Sequence, residues 1–145
     1  VQLADKTATI TKYQNRYHYL PLSGDPLGYV NNLTAVKLID NQFYTNDEWL
    51  AHTIETNYPD AIYRLFELMS KPEVGDVLVC SRKGYDLAKD YELFVGNYKG
   101  GHGGLHKDLL QVPYILYMPN RMPKTVAFAR SEKVGQLIME YLNFQ

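Results

Sequence analysis

The stretch GDVLVCS, residues 75–81, decides the fold class. It is short and almost wholly apolar, which is how a strand buried on both faces of a sheet reads. A second run of the same kind, VPYILYMP, occupies residues 112–119. Between them lies a long glycine-bearing connection, RKGYDLAKDYELFVGNYKGGHGGLHKDLLQ. A helix is expected after the second run, from about Ser131 to Leu142, with Val134, Leu137, Ile138, Tyr141 and Leu142 on one face. Alternating β and α elements in the second half argue for an α/β sheet. Within GDVLVCS, Cys80 is expected to be a small buried hydrophobe.

Upstream, TATITKY (7–13) alternates β-branched and polar residues, and YHYLPL (17–22) is aromatic and ends near Pro21. LSGDPLGYVNN (22–32) carries turn residues, and LTAVKLID (33–40) alternates with period two, so it is expected to be a central strand. Thr45 or Asn46 is expected to cap a helix through DEWLAHTIET, with Asp47 and Glu48 at its positive end. Pro59 is placed at the first position of a second helix, whose Ile62, Leu65, Phe66 and Met69 form one apolar face. The opening third therefore reads as α+β and the remainder as α/β.

The chain has 145 residues, enough to bury a core without disulfides. Formal net charge is −1 and basic residues are scattered, so the sequence offers no footprint for nucleic acid. The apolar runs are too short to span a bilayer. The first residue is Val rather than Met, which we read as a processed or excised chain. There are 13 tyrosines, clustered in residues 13–63. Tyr13, Tyr17, Tyr19, Tyr29 and Tyr44 either form the aromatic core face of a small sheet or stack on a substrate base or leaving group.

His102 and His106 are four apart in GGHGGLH, but Gly103 and Gly104 argue against a helical two-histidine metal site. His18 and His52 are expected in the core or at the surface rather than as ligands, and His106 is expected either to face solvent or to support a metal ligand from behind. Asp86 and Asp108 have the chemistry to orient a ligand histidine. There is no nucleophile elbow, no P-loop, no dinucleotide fingerprint, no HExxH and no CxxC.

In order, the chain presents Gly75-Asp76, Gly84-Tyr85, His102-Gly103, Val112-Pro113 and Pro119. Over roughly residues 57–145 this resembles the C-terminal part of type I phosphodiesterases and nucleotide pyrophosphatases of the alkaline phosphatase superfamily. The closing segment SEKVGQLIMEYL is similar to the helix that ends that family's domain. The resemblance implies a fragment of an alkaline-phosphatase-like sheet with helices. Residues 57–145 would be the C-terminal part of the core domain, and residues 1–56 a strand-rich, cap-like insertion. It further implies that His102 is a ligand to one of two zinc ions in the parent enzyme. The substrate would be a phosphate ester, a phosphate anhydride or a nucleotide-like small molecule.

The family's Thr or Ser nucleophile, its Asp ligands and its Asp-His-Gly motif have no counterpart here, and the resemblance puts them before Val1. One histidine cannot hold two zinc ions, so the chain alone is expected to be inactive. The alternative is a non-catalytic interaction module derived from the same superfamily, with the Tyr-rich region as its interface. An exposed sheet edge would also let two copies of such a fragment associate.

Overall fold

In the computed structural model the described residues are 1–85, 87, 104–115, 117 and 127–142. The described chain divides into two compact units, residues 1–111 and 112–145.

The first unit is built on a hairpin. Strand β2 (Lys6–Tyr13) pairs antiparallel with β3 (Arg16–Ser23), register Ile10 to Tyr19 and Tyr13 to Arg16. Two-residue strands β1 (Gln2–Leu3) and β4 (Tyr44–Thr45) complete an antiparallel sheet in the order β1-β2-β3-β4. The period-two pattern sends Ala8, Tyr17 and Tyr19 into the core, while Thr9, Thr11 and Tyr13 face outward. Strand β3 continues past Pro21 to Ser23, with a register irregularity between Thr7 and Ala8 opposite it.

Helix α1 (Asn46–Thr53) starts at Thr45, one of the two expected caps, and ends three residues short of the expected span. The Thr45 hydroxyl accepts the Glu48 N–H at 3.2 Å, and Glu48 Oε2 accepts the Thr45 N–H at 2.7 Å. This is a reciprocal capping box, and it anchors α1 at the sheet edge formed by β4. Trp49 on its inner face is fully buried, stacks on Tyr29 at 6.2 Å and donates its indole N–H to the Tyr17 carbonyl at 3.0 Å. Tyr19 meets Tyr29 edge-on at 5.6 Å, so aromatic side chains from the sheet, the 24–32 loop and α1 make one core. The loop is held by Asp25, whose carboxylate accepts the Tyr19 hydroxyl and the N–H groups of Leu27 and Val30.

Helix α2 (Ala61–Met69) begins two residues later than expected. Asp60 takes a left-handed backbone, φ 59°, which no helix interior accepts, so Pro59 lies outside the helix. Ile62 is fully buried and Leu65 and Phe66 pack on the core, as the periodicity predicts, whereas Met69, the fourth residue of that face, is exposed.

Three expectations are corrected. LTAVKLID is not a strand: residues Ala35–Leu38 form a 3-10 turn with Ala35 and Leu38 buried. GDVLVCS forms no strand, and Cys80 within it is exposed. Residues 112–115 and 117 of the second apolar run carry no strand either, and residues 116, 118 and 119 lie outside the described set. A parallel strand needs ladder partners, and among the described residues neither run has any. The described architecture is thus α+β, with an antiparallel sheet.

The second unit contains a 3-10 turn, Ser131–Lys133, leading into α4 (Val134–Leu142), close to the expected span. Val134 and Leu137 are half-buried, whereas Ile138 and Leu142 are exposed. No helix among the described residues is long and apolar enough to cross a membrane.

Candidate functional site

The glycine-rich segment enters the described structure at Gly104. His102 and Gly103 lie outside the described residues, as does Asp86. Two hydrogen bonds clip residues 107–111 to the connection between α1 and α2. The Lys107 N–H donates to the Asn57 carbonyl at 2.9 Å, and the Gln111 side-chain amide donates to the Ile54 carbonyl at 3.0 Å. Between these clips runs the one-turn helix α3 (Lys107–Leu110).

His106 caps that turn. Its Nδ1 accepts the Asp108 N–H at 3.3 Å. Its ring packs edge-on against Tyr58, centroids 5.9 Å apart. His106 is therefore half-buried rather than solvent-facing, because the chain after it is tied down. Asp108 sits beside Lys83, whose ammonium holds the carboxyl below its ordinary range. Gly104 has a packing role as well: a Cβ there would lie 2.7 Å from Leu109 Cδ1.

Beside this segment lies a cleft of about 620 Å³. Ile10 of β2, Leu65, Phe66 and Met69 of α2, and Val77 and Leu78 of the 75–81 run are among its apolar lining. Asp76, Ser81, Arg82 and His106 supply its polar groups. Its volume and mixed lining lie in the range of ligand and peptide sites.

The remaining candidates fall elsewhere. His18 Nε2 lies 2.7 Å from the Asp40 carbonyl and its ring tilts over Phe43. His52 Nδ1 meets the Glu48 carbonyl one turn earlier in α1, at 3.0 Å. Neither lines the cleft. Tyr17, Tyr19 and Tyr29 are core residues, and burial pushes the hydroxyl pKa of Tyr19 and Tyr29 well up. Of the five tyrosines, Tyr13 and Tyr44 retain surface. Among the described residues no group of three or more His, Cys, Asp or Glu side chains could hold a metal ion.

Sequence reasoning missed one cluster. Glu67 on α2 accepts from Lys12 Nζ at 2.6 Å and from the Tyr17 hydroxyl at 2.7 Å. Lys12 also lies over the Tyr17 and Phe66 rings, at 5.2 and 5.8 Å. The signal was present: alternation puts Lys12 on the inward face with Ala8 and Ile10, where a cation needs a partner.

No family model, no curated protein and no solved structure matches this chain.

Proposed function

We propose that this chain is the C-terminal portion of a metal-dependent phosphodiesterase or nucleotide pyrophosphatase. In that reading residues 57–145 belong to an alkaline-phosphatase-like core, residues 1–56 form a cap, and His102 is one zinc ligand. The nucleophile and the other ligands come from sequence preceding Val1. Two zinc ions, when bound, would clamp the attacking and leaving oxygens of the phosphoryl displacement. The substrate is a phosphate ester, a phosphate anhydride or a nucleotide.

The observation that carries the reading is the state of the two apolar runs around the histidine loop. Val77 and Val79 are 78 and 64 % exposed, and Ile115 and Tyr117 are 88 and 85 % exposed. Each run has the composition of a sheet interior and neither has a sheet around it among the described residues. Strands of a larger core would read this way when separated from their neighbours. The ordered motifs from Gly75-Asp76 to Pro119 supply the family assignment.

The test is the coding sequence preceding Val1, followed by an assay of the full protein. An open frame with a Thr or Ser nucleophile and Asp-His-Gly is expected. In that protein His102→Ala should lower hydrolysis of a nucleotide aryl phosphodiester by at least about a hundredfold and lower zinc content. A frame without those residues, or a His102→Ala variant with full activity, sinks the reading.

A further inference from the structure

We infer that the run Asp76–Arg82, with the cleft behind it, is an acceptor for an extended β-strand of another polypeptide, aligned parallel to the run. The run has the composition of a fully buried strand, yet its side chains are open to solvent. Among the described residues, its backbone N–H and C=O groups from Val77 to Ser81 have no hydrogen-bond partner. Apolar side chains together with free ladder groups specify the occupant. A small apolar ligand would cover the side chains and leave the ladder unmade, whereas an added strand supplies both.

Composition gives the direction, and charge the identity of the ends. Asp76 stands at one end of the run and Arg82 at the other, and among the described residues neither forms an ion pair. A partner strand is complementary when it presents a base opposite Asp76 and an acid opposite Arg82. The near-continuous apolar character between them is that of parallel sheets, in which both faces are covered. A parallel partner therefore reads base, apolar residues, acid from its N-terminus. Its side chains have room in the cleft, against Leu65, Phe66 and Met69. The inference stands on exposure, free ladder groups and charge; it shares the exposure of this run with the proposed function and differs from it in taking the added strand from another polypeptide rather than from the parent enzyme's own sheet.

The experiment titrates this chain with two blocked heptapeptides, Lys-Val-Thr-Val-Thr-Val-Glu and its charge-swapped form Glu-Val-Thr-Val-Thr-Val-Lys. Amide shifts and hydrogen exchange are followed by NMR. The Lys-first peptide should bind about tenfold more tightly. It should also protect the amides of Val77–Ser81. Arg82→Glu, an exposed site, should remove that preference. Methylating alternate peptide nitrogens should abolish binding while leaving the protein unaltered, so misfolding of a variant cannot imitate the result. Equal affinity for both peptides, tighter binding of the Glu-first peptide, binding that survives methylation, or no binding overturns the inference.

Discussion

Lys12, Tyr17 and Glu67 show how one misplaced charge is handled. The β2 alternation forces Lys12 inward, and Glu67 on α2 meets it there together with the Tyr17 hydroxyl. Hydrogen bonds from Lys12 and then Tyr17 hold the Glu67 carboxyl below its ordinary value of 4.5. A carboxyl with a depressed folded-state pKa stabilises the fold above its unfolded value, and that contribution is lost as pH falls through the folded value. Wild-type stability should therefore fall more steeply than that of Glu67→Gln below about pH 5. Urea denaturation at pH 7, 5, 4 and 3 checks this. Other acidic groups with lowered pKa, such as Glu48, remain in both proteins and cancel in the comparison. Parallel curves would mean that the cluster contributes nothing. The residue types at this site were readable, but the pairing was not, because Lys12 and Glu67 are 55 positions apart.

At the level of elements, local signals succeeded where they were chemically specific. Of the two caps expected for α1, Thr45 and Asn46, the structure uses Thr45, and β-branched alternation gave β2. Residues 33–40 went the other way. Their alternation fits a strand, but Asn32 Oδ1 accepts the N–H groups of Thr34 and Ala35 and the Thr34 hydroxyl, at 2.8–3.0 Å. That launches a turn, and Ala35 and Leu38, three apart, then share the buried side. Asn32→Ala should destabilise the protein by about 1 kcal/mol, measurable as a lower urea midpoint with unchanged slope. An unchanged midpoint would mean that burial of Ala35 and Leu38 alone sets the turn. Asparagine beside Thr34 was the available signal, outweighed by an apolar pattern that fits two periods at once.

Across the whole molecule, Trp49 is the piece on which the first unit converges. It is fully buried, touches Tyr19, Tyr29 and Tyr44, and donates to the Tyr17 carbonyl. Trp49→Phe removes the donor to the Tyr17 carbonyl and opens space beside three tyrosines. We expect a loss of about 2–4 kcal/mol, read from chemical denaturation. A loss under about 0.5 kcal/mol would show that the aromatic cluster repacks without it. The same core bears on function. Burying Tyr17, Tyr19 and Tyr29 removes them from any binding surface, so an interface on residues 1–56 rests on Tyr13, Tyr44 and their neighbours.

The sequence alone determined the hairpin strands, the capped start of α1, the apolar face of α2 and the last helix. Each is written in short-range periodicity or in a cap whose partners are three residues apart. It also determined the order of motifs around His102 on which the proposed function rests. Tertiary structure decided the 3-10 turn at Ala35–Leu38, the Glu67 cluster and the anchoring of His106 on Asn57, Tyr58 and α3. It also left GDVLVCS open instead of in a sheet. These depend on long-range partners. A buried strand is a property of its neighbours as much as of its own residues, and an apolar run without ladder partners remains a surface.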